Sequence, residues 1–177
     1  MGEKKEMRVS DICQIGIMVA VIEVCKGALT MLPNIELTTF LLIMFAIYFG
    51  KKVYFVVPVM ILIEGAVYGI GLWWFMYIYT WPILVFLARR LTKNASCISL
   101  SVLAGIFGLT FGLLGSIPYF FIGAWSGGIM SGVSNAIAWW IAGIPWDLVH
   151  GVSNFIIMLV LYHPMKKCIA TINNRTL

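Results

Sequence analysis

Charge is scarce in this chain, and its scarcity excludes most soluble folds. Only 11% of the 177 residues are charged and 62% are hydrophobic, whereas an average soluble domain is about a quarter charged and about half apolar. This composition favours a chain surrounded by lipid. A membrane bundle of this length leaves no room for a second domain, so residues 1–177 are expected to form a single integral membrane domain.

Catalytic and metal-binding patterns are also absent from the sequence. It contains no HExxH motif, no GxGD motif and no phosphate-binding loop, and no Ser-His pairing is suggested locally. The four cysteines, at positions 13, 25, 97 and 168, form no CxxC pair or other ligand spacing, so neither a disulfide nor a metal site is predicted. We therefore expect a protein that is not an enzyme and uses no cofactor or metal.

Positive charge gathers in four short clusters separated by apolar stretches. The clusters are Lys4, Lys5 and Arg8; Lys51 and Lys52; Arg89, Arg90 and Lys93; and Lys166, Lys167 and Arg175. Each gap is long enough to cross a bilayer and return, at roughly 20 residues per crossing. Because basic loops stay cytoplasmic, the clusters predict three transmembrane hairpins with both termini inside. The net charge of +5 then faces anionic lipid, and no nucleic-acid partner is expected.

The predicted fold class is therefore all-α, a membrane bundle of six transmembrane helices. The spans cover approximately residues 10–30, 36–49, 53–70, 73–91, 98–121 and 136–161. The second span is short, since its residues extend only about 21 Å against a ~30 Å hydrocarbon core. It either recruits flanking residues or sits partly inside the bundle. Residues 123–134, rich in glycine and serine and free of charge, are expected to form a long outer loop.

Ionisable residues within spans are costly unless paired or wetted, which makes them the functional candidates. Glu23 and Lys26 lie three apart in span one, and their mutual neutralisation is one alternative. Glu36 stands at the outer start of span two. Glu64 has no partner nearby in the sequence, so it is protonated, wetted or paired in space, with Lys26 or His150.

Span six carries a polar stripe in its middle. Asp147 and His150 are three residues apart and share a helical face, and Asn154 extends the stripe. Two candidate ligands are too few to predict a metal site. A structural Asp147–His150 hydrogen bond that caps a kink after Pro145 is expected instead.

Tryptophans share the outer half of the predicted bundle with these polar groups. They are Trp73, Trp74, Trp125, Trp139, Trp140 and Trp146. An aromatic belt explains some of them, but belts occur at both membrane interfaces and no tryptophan marks the inner one. An aromatic pocket open to the outside explains the asymmetry better. Trp73, Trp74, Trp125, Trp139 and Trp146 are therefore candidates for binding a small organic ligand.

Two stretches of the sequence resemble the substrate-binding S component of an energy-coupling factor (ECF) transporter. Residues 143–154, from Gly143 to Asn154, are similar to the G-x-P-x-D-x-x-H-x-x-x-N stretch of several such proteins. Gly16 and Ala20 are similar to the Ala-x-x-x-Ala step of the first helix, with glycine at the first position. Six helices, this length and internal termini agree with the same family.

The resemblance implies a mechanism that the residues alone do not. In this family the S component captures a vitamin from outside, docks on a membrane scaffold subunit powered by two ATPases, and topples to release the vitamin inward. Gly16 and Ala20 would then be the docking residues. Glu64, Asp147, His150 and Asn154 would join the tryptophans in the pocket. The location would be a prokaryotic plasma membrane.

Several alternatives remain open at this point. Cobalamin is the first expectation for the ligand, with a pyridoxal-like compound, a queuosine precursor or a flavin as the others. A membrane structural or regulatory subunit would instead use its buried charges only for internal pairing. A stand-alone secondary carrier would use Glu64 as a proton relay, although the sequence shows no clear inverted halves.

Orientation can be tested by labelling with a membrane-impermeant maleimide in intact cells, after the native cysteines have been replaced. Because basic loops stay cytoplasmic, we expect Lys51→Cys and Arg90→Cys to react only after the cells are permeabilised. Trp125→Cys should react without permeabilisation. Labelling of position 51 or 90 from the medium would contradict the orientation.

Overall fold

The protein is all-helical over the residues that the structure describes, which confirms the all-α part of the predicted fold class. The structure is a computed structural model and describes residues 7–91 and 95–175. Its elements are α1 (Val9–Ala28), α2 (Thr38–Tyr48), a 3-10 turn (Gly50–Lys52), α3 (Val53–Tyr68), α4 (Leu72–Arg90), α5 (Cys97–Leu109), α6 (Phe111–Gly115) and α7 (Ile117–Arg175). Lys4, Lys5 and Lys93, together with the chain termini, lie outside the described residues.

Short polar residues and glycines set the helix ends. The Oγ of Ser96 accepts a hydrogen bond from the backbone N–H of Ser99 at 3.1 Å and caps α5. The backbone N–H of Arg8 donates to Asp11 Oδ2 at 3.0 Å where α1 begins. Helix α3 ends before Gly69, whose φ of +82° is a conformation that glycine adopts readily.

Helix α2 is the central helix of the bundle. Its side chains from Thr38 to Ile47 are buried, and it packs against α1, α3, α4, α5 and α7. At 11 residues it extends only about 16 Å. Of the two arrangements expected for the second span, burial inside the bundle is the one observed.

The prediction of an outer loop at residues 123–134 is wrong, because this segment is helical. Within α7 the backbone leaves helical geometry only at Gly127 and Gly128, where φ is −146° and +80°. The helix therefore folds into a hairpin with a first arm (residues 117–126) and a second arm (residues 129–175). A Cβ on Gly123 would lie 2.7 Å from the carbonyl oxygen of Ser131, so the glycines serve close packing between the arms.

The single span expected at residues 98–121 is also interrupted. Helix α5 ends at Leu109, α6 occupies one short stretch, and α7 begins at Ile117. Hydroxyl groups mark both breaks: Thr110 donates to the carbonyl of Ile106 at 3.0 Å and Ser116 to that of Leu113 at 2.7 Å. Such local bonds compete with continuation of the helix. The hydropathy of the residues gives no sign of these bonds, so it predicted one continuous span.

The surface of the bundle is apolar and its interior holds several polar groups. Two stretches, Leu72–Arg90 and Phe111–Thr171, are long and apolar enough to cross a membrane by length and composition. Large apolar side chains such as Leu62 and Val160 are 65% and 61% exposed. Glu64 and Asn154, by contrast, are buried.

Lys52 and Arg89, from two of the basic clusters, lie at the same end of the bundle. The Nζ of Lys52, at the start of α3, lies 2.6 Å from Asp11 Oδ1 at the start of α1. Arg89, at the end of α4, donates to the carbonyl of Ala46 near the end of α2 at 3.4 Å. We call this the basic end.

Candidate functional site

A cavity of about 370 Å³ opens at the end of the bundle opposite the basic end. Its walls come from the last turn of α1, the segment 29–37, the end of α3, the first half of α4, and single residues of α6 and α7. Ligand sites in proteins commonly measure about 300–1,000 Å³. The aromatic lining residues are Tyr68, Trp73, Tyr77, Trp81 and Phe111, and the ionisable ones are Lys26, Glu36 and His150.

An ion pair between α1 and α3 borders the cavity. The Nζ of Lys26 lies 2.5 Å from Oε1 of Glu64, whose side chain is 0% exposed. Glu64 therefore pairs in space with Lys26, one of the two partners expected for it. Lys26 does not pair with Glu23, because it reaches across to Glu64 on α3. Oε1 of Glu23 is buried with no hydrogen-bond partner among the described residues.

A second polar pair joins residues that are far apart in the sequence. His150 Nε2 on α7 lies 3.2 Å from Oε1 of Glu36. Oε2 of Glu36 also accepts from the backbone N–H of Thr39 at 2.9 Å, so the same carboxylate stabilises the first turn of α2. Ser153 donates to the carbonyl of Asn34 at 3.1 Å and ties α7 to the same segment.

The prediction of a hydrogen bond between Asp147 and His150 is wrong. Oδ1 of Asp147 instead accepts from the backbone N–H of Gly112 at 2.9 Å, and His150 turns to Glu36. Side chains three apart do share a helical face, but neighbouring elements supply these two with separate partners. A Cβ at Gly112 would collide with the Asp147 carboxylate, so this contact requires the glycine.

Three aromatic residues of α4 form one wall of the cavity. The rings of Trp73 and Tyr77 are 5.3 Å apart, as are those of Tyr77 and Trp81, and both pairs meet edge to face. Their spacing of four residues places them on one helical face. Trp73 was predicted from the sequence. Tyr77 and Trp81 were not, although that spacing is visible in the sequence.

The other candidate tryptophans lie away from the cavity lining. Trp74 donates from its indole N–H to the carbonyl of Ile61 at 2.9 Å and so joins α4 to α3. Trp125, near the tip of the α7 hairpin, is 95% exposed. Trp139 stacks on Tyr119 with ring centroids 3.8 Å apart.

The remaining candidate residues differ in burial. Trp146 is exposed, whereas Asn154 is buried with neither amide atom bonded among the described residues. Of the nine residues predicted to bind substrate, Trp73 and His150 line the cavity, and Glu64 borders it through Lys26. Sequence reasoning singled out Lys26 and Glu36 as ionisable groups without assigning them to the site.

The two predicted docking residues lie on an open face of α1. Gly16 and Ala20 are both exposed, and a Cβ added at Gly16 would meet no atom within 4 Å. Gly108 differs, because a Cβ there would lie 2.8 Å from the backbone of Gly151. Gly108 therefore serves internal packing between helices, and Gly16 does not.

Among the described residues, no group of three or more His, Cys, Asp and Glu side chains is placed to hold a metal ion. Comparisons of the chain with protein-family models, curated proteins and solved structures gave no match. Function is therefore argued from the site.

The Lys26–Glu64 pair gives an asymmetric mutational prediction. Lys26→Met leaves the Glu64 carboxylate buried without its partner, and removing one member of a buried pair costs about 3–5 kcal/mol. Glu64→Gln should cost less, since the Lys26 side chain is 25% exposed, and the double variant should lose less than the sum. Unfolding of the purified protein in detergent measures each loss.

Asp11→Asn is the matched control, because it breaks the more exposed pair with Lys52 and should cost under about 1 kcal/mol. Equal losses of unfolding free energy in Lys26→Met and Glu64→Gln that simply add up in the double variant would contradict a coupled buried pair.

Proposed function

We propose that this protein is the membrane-embedded S component of an ECF-type importer. It captures a vitamin or related micronutrient from outside a prokaryotic cell and delivers it inward by docking on a scaffold subunit with two ATPases. The six-span arrangement with cytoplasmic termini is part of this proposal. The observation that carries it is the aromatic and charged cavity at the end opposite the basic end.

The positions of the basic residues and of the cavity at opposite ends of the bundle support capture of the ligand from the outside. If basic residues lie on the cytoplasmic side, the cavity lies toward the outside, where an incoming nutrient meets it. Lys26 and Glu36 supply polar contacts there and aromatic rings supply apolar walls, the usual composition of a small-molecule site.

The volume of the cavity narrows the choice of ligand. At about 370 Å³, the cavity lies near the lower end of the 300–1,000 Å³ range that is common for small-molecule sites. Cobalamin, a macrocycle with a nucleotide arm, is much larger than this space. Among the ligands considered, the volume favours the single-ring pyridoxal-like compounds and the two-ring queuosine precursors.

The exposed small-residue step on α1 supports docking on another membrane subunit. Small residues let helix backbones approach closely in lipid, and the surface at Gly16 is open to an incoming helix. Apolar neighbours on the same face, Ile17 and Val24, are exposed as well.

A membrane structural or regulatory subunit is the second candidate. It is favoured by one observation, that Lys26 pairs with Glu64 and Glu36 with His150 inside the protein. Internal pairing of this kind does not require a ligand. It leaves the open cavity beside both pairs without a role, which is why we rank it second.

Mass spectrometry of the protein purified in mild detergent tests the capture function. We expect a single small compound to co-purify, because an apolar site with few polar contacts buries most of its ligand and releases it slowly. Denaturation should release that compound in near-stoichiometric amount. Absence of any co-purified compound, together with no binding across a full vitamin panel, would favour the structural subunit.

The docking role of α1 is tested by Gly16→Leu. Since a side chain at Gly16 projects away from the bundle, ligand binding should persist while uptake into cells falls about tenfold or more, through the lost helix contact. Uptake of the co-purified compound and its binding to detergent-solubilised protein are measured side by side.

Ala138→Leu is the control, because Ala138 on α7 is also a small exposed residue and lies outside the 143–154 stretch. It should leave both uptake and binding intact. Loss of binding in Gly16→Leu would show a packing role for Gly16 and would refute its docking role.

A further inference from the structure

We propose that the cavity selects a small, flat, positively charged ligand, such as a ring that carries a protonated amine or a quaternary nitrogen. This inference rests on the proposed capture function and specifies the class of molecule captured. It is drawn from the formal charges around the cavity and from its aromatic walls.

Carboxylates outnumber permanent cations at the cavity. Glu36 lines it, and Glu64 borders it through Lys26. Two carboxylates against one ammonium leave a formal charge of −1. A cationic ligand would balance this excess, and charges buried in low dielectric strongly favour such balance.

The aromatic walls already hold one cation. The ammonium of Lys26 lies 4.9 Å from the ring centroid of Tyr77 and 5.9 Å from that of Tyr68. Both distances are within the range of a cation–π contact. Trp73 and Trp81 extend the same wall and offer further ring faces to a flat cationic ligand.

An anionic ligand fits this arrangement poorly. Lys26 is the only described cavity-lining residue with a permanent positive charge, and it is already bound to Glu64. An anion would also face Glu36, and juxtaposed like charges act against binding.

The test uses probes that share a ring and differ in charge. Pyridoxamine, pyridoxine and 4-pyridoxate form one cation, neutral and anion series, and 1-methylnicotinamide, nicotinamide and nicotinate form another. Binding to the ligand-free, purified full-length protein is measured by quenching of tryptophan fluorescence and by calorimetry. Trp73 and Trp81 line the cavity and serve as intrinsic reporters.

In at least one series we expect the cation to bind about tenfold or more tightly than its neutral partner, the scale of a desolvated charge pair. Glu36→Gln should abolish that preference and leave the neutral probe nearly unchanged. Asp11→Asn, which removes an acid at the basic end, should leave the preference intact. If Glu36→Gln does not fold, Glu64→Gln replaces it and should reduce the preference, because it removes the other carboxylate at the cavity.

Equal or tighter binding of the neutral or anionic member would overturn the inference, as would a cation preference unchanged in Glu36→Gln. If no probe binds, the charge of the co-purified compound decides: a cation supports the inference and a neutral or anionic compound refutes it. A neutral or anionic compound would leave the capture function standing. Absence of any ligand would overturn both.

Discussion

Pairing of a few charges inside an apolar bundle is the constraint on which the site depends. Glu64 is fully buried and tolerates its position because Lys26 reaches it from α1, and an unpaired carboxylate there would be costly. The ion pair between Lys26 and Glu64 holds the end of α1 against α3. Glu36 similarly joins the segment before α2 to His150 on α7. Together the two pairs hold in place the walls between which the cavity opens.

Close backbone packing supplies the rigidity behind those walls. Gly108 on α5 lies so near Gly151 on α7 that a single added carbon would clash. Gly112 makes room for the carboxylate of Asp147 in the same way. Both contacts lie between α7 and the segment that carries Phe111, so they help position Phe111 and His150 at the cavity. Gly16 has no such neighbour, so it lies on the open face of α1 and takes no part in this packing.

Sequence reasoning succeeded where the physical cause is local or compositional. The scarcity of charge and the long apolar runs predicted helices throughout. Glu64 was expected to be protonated, wetted or paired with Lys26 or His150, and the pair with Lys26 is the arrangement observed. Sequence reasoning failed at residues 123–134, where glycine suggested a loop but permits two helical arms to touch. It also failed for Asp147, because spacing within one helix says nothing about Gly112 on another element. Tyr77 and Trp81 share a face of α4 with Trp73, yet only the fold shows that this face borders a cavity.

Composition and the spacing of charges by themselves determined that this chain is helical, apolar on most of its length and basic at intervals, because those properties follow from each residue and its near neighbours. Which charges meet, which glycines pack and which aromatic rings enclose space was decided only by the tertiary structure. Those contacts join positions separated by up to 114 residues, as Glu36 and His150 are. Their distances depend on how helices cross, and no local pattern encodes that.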